Sequence, residues 1–497
     1  MSASRSSRLT IMRLSTRRLF FLILMLVLFF LTAREVTDPD FWWHLRAGQY
    51  IFETRSIPHA DIFSFTFTGR EWVTHEWLSE ALIYVIFKWL GWAGLVTAFA
   101  LIVTTAFGIS YRRCERNGAH PFVSWAAVLL GAIATAPVWG VRPQMFSLLL
   151  ASIFLAVLMT CMRREAGRVV WLLPPLMLLW VNLHGGYVLG LVLITIALFG
   201  IALDGLIEKR PRREVLKRVA PLAFVLAACV LVVPLNPNGL RLFTYPFETL
   251  FSPVMQEHIE EWFSPNFHQT RFIALAVLMF ATFAALALSP KRLRLSELLM
   301  LCATAYAVLR SGRHLPIFAF AAVPLLAEHA TLWVKNQDWS LSFFAPERPA
   351  SKQQTGLRFA VLLLALIVSM MNVRHVVARQ AVAEEKNFPA RAVEFIGAQN
   401  LPDPIFNWYD WGGYLIWKLY PERRVYIDGR ADVYGDAFME EFLRASKGQG
   451  DWREPLRRYG IRTVIVKPDS PLADLLMKEE GWSKAFEDSQ AVVLVKQ

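Results

Sequence analysis

Long apolar segments alternate along the chain with short charged stretches, and this alternation is the main structural signal in the sequence. A helix needs roughly 17–25 mainly apolar residues to cross a bilayer, and about eleven segments meet this need. They lie near residues 19–35, 77–110, 121–140, 144–161, 170–183, 187–205, 219–235, 272–289, 297–310, 315–334 and 357–373. We expect segment 77–110 to hold one crossing and one helix along the membrane surface. The pattern predicts a polytopic α-helical membrane protein.

Basic residues mark alternate loops between these segments, and cytoplasmic loops are the ones that collect Lys and Arg. The basic stretches are Arg5–Arg18, Arg112–Arg116, Arg163–Arg168, Lys209–Arg218, Lys291–Arg294 and Lys335–Lys352. All of them fall inside the cell if the N-terminus is cytoplasmic and acts as an uncleaved signal anchor. We therefore expect a multi-pass protein of the plasma (inner) membrane. Its outer face would carry the loops at about 36–77 and 236–271.

The composition becomes that of a soluble domain beyond residue 373. Residues 1–373 are thus predicted to form the transmembrane domain, and residues 374–497 a small extracytoplasmic α/β domain. The candidate strands are Arg424–Ile427, Thr463–Val466 and Ala491–Val495, and the candidate helices are Ala437–Ala445, Trp452–Tyr459 and Leu472–Glu480.

Composition supports the membrane assignment and narrows the classes of function. The 497 residues are 55% hydrophobic and only 19% charged, which is unusual for a water-soluble domain. The net charge of +12 does not indicate nucleic acid, because the basic residues lie between apolar segments. The four cysteines, at positions 114, 161, 229 and 302, lie in or beside apolar segments and predict neither a disulfide framework nor a zinc site.

The first outer loop begins with acidic and aromatic residues in the run DPDFWWHLR. Ionisable groups near hydrocarbon usually mark an ion, a proton path or a charged substrate. Asp38, Asp40, His44 and Arg46 fall within a few turns of chain and suit an ion or a phosphate. The structural alternative is a helix cap at Asp38 or Asp40 with tryptophans at the membrane interface.

Two further acidic motifs are predicted on the outer face. The pair His75-Glu76 lacks the second histidine of a zinc-protease signature, so we expect it to be structural. Glu260 and Glu261, in HIEEWFSP, form either a solvated helix end or a partner for the first-loop aspartate across an outer cavity.

In the tail, NWYDWGGYLIW surrounds Asp410 with aromatic rings and follows it with two glycines, where the backbone can turn tightly. Such a segment suits a glycan or peptide acceptor, or else supplies core aromatics. The cluster Asp428, Arg430 and Asp432 on the next predicted strand could line the same cleft.

Cationic side chains also lie at predicted outer span ends: Arg142, His184, Arg310, Arg313 and His314. Cations at the mouth of a cavity with a low dielectric constant can bind phosphate oxygens and stabilise a departing phosphate. The alternative is that the arginines extend to lipid headgroups.

Three of these segments resemble motifs of the oligosaccharyltransferase catalytic subunit. DFWWHLR (Asp40–Arg46) is similar to its DPYYHxR-like first-loop sequence, HIEEWFSP resembles its Val-x-Glu loop motif, and WYDWG (Trp408–Gly412) is similar to its WWDYG sequence. The three occur in the family's order, on the predicted outer face. The resemblance implies the GT-C superfamily of membrane glycosyltransferases.

That resemblance also implies roles and partners. Asp40, with Asp38 and Glu261, would be catalytic; Asp40, His44 and Glu261 would hold a divalent metal ion such as Mg²⁺ or Mn²⁺; and Trp408, Tyr409 and Asp410 would bind the acceptor. Together with Arg142, His184, Arg313 and His314, they would serve a polyprenyl-linked sugar donor and a glycan, lipid or protein acceptor. The chain departs from the family in its third outward connection, WGVRPQMFS, which replaces an acidic metal-binding pair.

Two other classes of function remain open on the sequence. One is a lipid or ion transporter or flippase, although the inverted repeats typical of transporters are not found. The other is a noncatalytic envelope assembly protein whose tail binds a partner.

Sidedness can be tested by labelling. A single cysteine placed in the tail of a variant without native cysteines should react with a membrane-impermeant maleimide in intact cells, because the charge pattern places the tail outside. A cysteine in the 209–218 loop should react only after lysis. Tail labelling that also requires lysis would contradict the topology.

Overall fold

The computed structural model describes residues 14–164, 167–337 and 351–497. Parts of three predicted basic stretches, Arg5–Arg18, Arg163–Arg168 and Lys335–Lys352, therefore lie outside the described residues. The helices are α1 Thr16–Thr32, α2 Phe41–Thr54, α3 Trp77–Arg116, α4 Pro121–Thr135, α5 Gln144–Arg163, α6 Leu173–Leu183, α7 Tyr187–Ile207, α8 Arg212–Val232, α9 Tyr245–Leu250, α10 Pro253–His258, α11 Ile273–Leu288, α12 Leu295–Arg310, α13 Leu315–Lys335, α14 Lys352–Asn387, α15 Ala390–Ala398, α16 Gly412–Leu419, α17 Ala431–Ser446, α18 Arg453–Arg458 and α19 Pro471–Leu476. The strands are β1 Ile405–Asn407, β2 Thr463–Val466, β3 Trp482–Glu487 and β4 Val492–Lys496.

Every predicted membrane segment coincides with a helix. Within the described ranges, eight helical stretches are long and apolar enough to cross a membrane: Trp77–Arg116, Pro121–Val138, Gln144–Arg163, Tyr187–Ile207, Arg212–Leu235, Thr270–Leu288, Gly312–Lys335 and Gln353–Asn387. The segments at α1, α6 and α12 are shorter helices. The polytopic helical class is therefore confirmed, whereas the count of eleven crossings stays a prediction.

Helix α13 forms the centre of the bundle. It packs against α3, α4, α5, α11 and α12, and nearly every side chain from Leu315 to His329 is buried. A helix that is apolar on all sides is expected at such a central position. Its N-terminal turn thereby fixes Arg313 and His314 at one end of the bundle.

Helix α3 breaks at Gly91, between the two parts that the sequence predicted for this segment. Gly91 has φ 58° and ψ −155°, a conformation that glycine adopts without a steric penalty. The part before the break packs along α2, and it holds the start of the first outer loop against the bundle.

The tail folds into a four-stranded sheet flanked by helices, which confirms the predicted α/β domain. The strand order is β1-β2-β4-β3; β1 and β2 are parallel, and the other pairs are antiparallel. The predicted helical stretches contain α18 and parts of α17 and α19. Helix α14 continues without interruption through the predicted domain boundary at residue 373.

The predicted strand Arg424–Ile427 is wrong, and strands β1 and β3 were not predicted. The Asn407 side chain satisfies the backbone of this segment: its Oδ1 accepts from Tyr426 N (2.9 Å) and its Nδ2 donates to the Ile427 carbonyl (2.8 Å). Val425 instead pairs with the first loop at Ser64. The segment therefore links the tail to the first loop.

A buried ion cluster reinforces this link. Arg430 Nη2 lies 2.8 Å from Asp61 Oδ1 in the first loop and 2.7 Å from Asp428 Oδ2 in the tail. The guanidinium also lies over the rings of Trp72 and Phe63. All three charged side chains are at most 1% exposed, so the cluster tolerates the loss of a partner poorly.

We expect Arg430→Leu to lower stability by about 3–5 kcal/mol, because it leaves two buried carboxylates without their cation. Thermal unfolding in detergent and proteolytic release of the tail measure the effect. The matched control is Arg457→Leu, which removes an exposed pair with Asp451 and should change the midpoint little. Equal midpoints for the two variants would contradict the role of the cluster.

Candidate active site

A cavity of about 910 Å³ lies where the first loop, the turn before α5, the α9–α10 region, the start of α13 and the tail meet. Of the residues singled out in the sequence, those that line it are Asp38, Asp40, His44, His75, Glu76, Arg142, His184, Glu260, Glu261, Arg313, His314, Tyr409, Asp410, Arg430 and Asp432. Trp408 does not line it, and neither does Arg310, whose Nη2 donates to Gln256 at 2.9 Å. The three sequence motifs thus meet at a single cavity.

Asp40 lies at the start of α2 but does not cap the helix with its side chain. Its Oδ1 accepts from Trp43 Nε1 at 3.2 Å, and its Oδ2 lies 3.2 Å from Arg142 Nη2. Asp38 supports this turn, since its Oδ1 accepts from the backbone N–H of Asp40 at 2.9 Å. The aspartate side chains therefore face Arg142.

Arg142 joins carboxylates from two outer loops. It reaches Asp38 Oδ2 at 3.0 Å and pairs with Asp40 and Glu261. Gln144, two residues further on, donates to Glu261 Oε2 at 3.1 Å. Arg313 Nη2 lies 3.5 Å from the same oxygen.

Burial and charge set the protonation of this cluster. Burial raises the pKa of Asp40 to about 8, because Arg142 offsets only part of the desolvation and two neighbouring carboxylates add to it. Burial likewise raises the pKa of Asp38. Burial also disfavours the charged form of Glu261, but Arg142 and Arg313 outweigh it and lower the pKa of Glu261. Asp40 therefore holds its proton at pH 7 and loses it as the pH rises through its pKa of about 8.

A second cluster surrounds Glu76, which the sequence predicted to be structural. Its Oε1 lies 3.0 Å from His75 Nε2 and 3.5 Å from His184 Nε2, and its Oε2 lies 3.7 Å from His44 Nε2. Burial opposes a charged imidazole, but Glu76 outweighs it and raises the pKa of His75 to about 9. Burial lowers the pKa of His184 to about 4, so this imidazole is neutral near pH 7.

The tautomer of His184 follows from its neighbours. Its Nδ1 accepts from the backbone N–H of Gly186 at 2.9 Å and lies 2.7 Å from Ser147 Oγ. The remaining proton is therefore on Nε2, which faces Glu76 and the cavity. The sequence analysis did not single out Ser147 and Gln144. Their position just after Arg142, at the start of α5, could have indicated that they lie near the same site.

The residues proposed as metal ligands are not brought together as ligands. His44 faces Glu76 and Glu80 through its two ring nitrogens, whereas Asp40 and Glu261 bind Arg142. Over the described parts of the chain, no group of three or more His, Cys, Asp or Glu side chains has an arrangement that could hold a metal ion. The site does not fit the divalent metal that the family resemblance implied.

The tail approaches the first loop closely at two glycines. A Cβ on Gly429 would lie 1.8 Å from Asp40 Oδ1, and a Cβ on Gly413 would lie 2.7 Å from the Pro39 carbonyl oxygen. Larger residues would displace the aspartate turn. Tyr409 and Asp410 thereby reach the cavity, while the Trp408 indole stays outside it and donates weakly to Asp410 at 3.4 Å.

Part of the cavity wall is apolar. It includes the side chains of Val188, Leu189, Val192, Phe247, Leu250, Phe272 and Ile317. Apolar walls with a few convergent polar groups are typical of small-molecule sites.

Comparison with known proteins identifies the fold. No protein-family model and no curated protein matches the chain. The oligosaccharyltransferase AglB from Archaeoglobus fulgidus, in complex with an inhibitory peptide and a dolichol-phosphate, is similar over 89% of this chain and 68% of its own, with 12% identity and a TM-score of 0.52. The A. fulgidus oligosaccharyltransferase tethered with an acceptor peptide is similar over 96% and 74%, with 12% identity and a TM-score of 0.53.

ArnT from Cupriavidus metallidurans bound to undecaprenyl phosphate covers 95% of this chain and 97% of its own, with 15% identity and a TM-score of 0.49. The chain is a multi-pass membrane protein with the GT-C fold of membrane glycosyltransferases. Within that class, its fold resembles that of the oligosaccharyltransferase catalytic subunit, as the sequence motifs predicted.

Proposed function

We propose that this protein transfers a sugar from a polyprenyl-phosphate or polyprenyl-diphosphate carrier to an acceptor at the outer leaflet of the plasma membrane. The observation that carries the proposal is one cavity that combines Asp40, two arginines, an apolar wall and the tail motif. AglB and ArnT were solved with dolichol-phosphate and undecaprenyl phosphate, respectively, which supports a lipid phosphate as ligand. The proposed topology has a cytoplasmic N-terminus and an outer tail.

Asp40 is the proposed general base. It takes the proton of the acceptor as the acceptor atom bonds to the anomeric carbon, while the bond from that carbon to the phosphate oxygen breaks. A base is most effective when its pKa lies near the working pH, and the pKa of Asp40 is raised to about 8. Asp38 and Glu261 orient Arg142 beside it.

Arg313 is the proposed ligand of the donor phosphate. Arg142 is already paired with three carboxylates, whereas the one ion pair of Arg313 among the described residues is a 3.5 Å contact with Glu261, and its guanidinium stacks on Trp262 at 4.3 Å. Its remaining donors can bind phosphate oxygens and stabilise the leaving lipid phosphate. His184 and His314 line the same cavity as Arg313 and complete the proposed donor subsite.

Tyr409 and Asp410 are the proposed acceptor-binding residues. Asp410 is exposed and lines the cavity from the tail side. Trp408 supports them from behind through its contact with Asp410. The class of acceptor, whether glycan, lipid or protein, is left open by these contacts.

The role of Asp40 predicts both a loss and a pH profile. Asp40→Asn should slow sugar transfer by about 10²–10⁴-fold, the typical contribution of a general base. In the wild type, the rate should rise with pH and level off above pH 8, because the base acts only after losing its proton. Release of lipid phosphate from a panel of polyprenyl-linked sugars, with envelope extract as the acceptor source, measures the rate.

The control is Asp469→Asn, at an exposed aspartate outside the cavity. It should keep the wild-type rate. Full activity of Asp40→Asn, with an unchanged pH profile, would remove Asp40 from the mechanism.

The donor subsite predicts a difference between two arginines three positions apart. Arg313→Gln should weaken binding of undecaprenyl phosphate about tenfold, or roughly 1.4 kcal/mol, because it removes a charged phosphate donor. Arg310→Gln should leave binding unchanged, because Arg310 is outside the cavity. Binding of the purified proteins to the lipid in detergent measures both, and equal affinities would refute the assignment.

A further inference from the structure

The acidic cluster of the cavity is built around a cation that belongs to the chain. Arg142 stands in the turn between α4 and α5, and its guanidinium contacts Asp38, Asp40 and Glu261. Three carboxylates from two loops around one centre are a typical setting for a divalent cation. Here a guanidinium occupies that centre.

All six carboxylate oxygens of the cluster are already engaged. Asp38 accepts from the Asp40 backbone and from Arg142, and Asp40 accepts from Trp43 and Arg142. Glu261 accepts from Arg142 through Oε1 and from Gln144 through Oε2. Arg142 occupies the point between the three carboxylates, so a metal ion that binds all three would have to displace the guanidinium, and each carboxylate would then lose an N–H donor.

We propose that Arg142 is a fixed substitute for the divalent metal of the site, so that the cavity works without bound divalent cation. This inference rests on the proposed function, because it specifies how the same cavity supplies positive charge beside Asp40 during sugar transfer. The guanidinium holds the three carboxylates in place and presents a permanent charge to the reacting groups. A divalent metal ion would supply a larger positive charge, but it would also require carboxylate oxygens that face it.

One donor of Arg142 is left for a substrate. Its Nε–H is buried and has no hydrogen-bond partner among the described residues, and the residue lines the cavity. Buried donors of this kind are costly unless a partner is present. An oxygen of the sugar or of the phosphate can supply that partner when the donor is bound.

Manganese binding tests the inference without any substrate. MnCl₂ is titrated into the purified full-length protein, and bound Mn²⁺ is followed by electron paramagnetic resonance and by the melting temperature. Wild type should show no Mn²⁺ site that depends on Asp40. Arg142→Ala should gain Mn²⁺ affinity of at least about tenfold, equivalent to roughly 1.4 kcal/mol, because it leaves three carboxylates around a vacated centre.

The matched control is Arg313→Ala, which removes a neighbouring guanidinium but leaves Arg142 in the centre. It should gain no Mn²⁺ affinity. A wild-type Mn²⁺ site that Asp40→Asn abolishes would overturn the inference, and so would a folded Arg142→Ala protein that gains no Mn²⁺ affinity. If Arg142→Ala does not fold, the wild-type titration against Asp40→Asn decides the question alone.

These outcomes are separable from the proposed function. Failure of sugar transfer with every donor would refute the proposed function while leaving the Mn²⁺ titrations valid. Sugar transfer that requires added Mn²⁺ or Mg²⁺ would support the proposed function and overturn the role of Arg142.

Discussion

Pairing of charges at the end of the helix bundle that meets the tail is the interaction on which this structure depends. Hydrocarbon and apolar side chains surround the bundle, and an unpaired charge there is costly. The chain meets this constraint with three separate clusters, centred on Arg142, Glu76 and Arg430. Each cluster joins loops that are far apart in sequence, so the same contacts that neutralise charge also assemble the cavity.

The tail contributes directly to the assembly of the cavity through its contacts with the first loop. Arg430 binds an aspartate of the first loop, Val425 pairs with Ser64, and Gly429 lies against Asp40. The tail thereby contributes part of the lining of a cavity that is otherwise built by loops and helix ends of the bundle.

The sequence predicts the parts of this structure that depend on local pattern. Long apolar runs give the helices, and the run of soluble composition after residue 373 gives the α/β tail. The motifs around Asp40, Glu261 and Asp410 point to residues that line one cavity, and Arg142 is found from its place at a span end. Whether these residues act in catalysis or binding is still a matter of prediction.

The rest depends on tertiary contacts that no local pattern encodes. His44 follows Asp40 by four residues and suggested a common ligand set, yet its ring faces Glu76 and Glu80. The hydrophobic run at Arg424–Ile427 has the composition of a strand, but a distant side chain, Asn407, takes its hydrogen bonds. Glu76 gains His184 as an imidazole neighbour only when the first loop meets the end of α6.

Helix α14 is the covalent connection between the helix bundle and the tail, and it is a single unbroken helix. Its 36 residues extend roughly 54 Å at 1.5 Å per residue, well beyond the roughly 30 Å of a bilayer core. Because the helix is unbroken, each residue inserted into it would move the tail by about 1.5 Å along the helix axis and rotate it by about 100° around that axis. The number of residues in this helix must therefore match the contacts that the tail makes with the first loop at Arg430 and Val425.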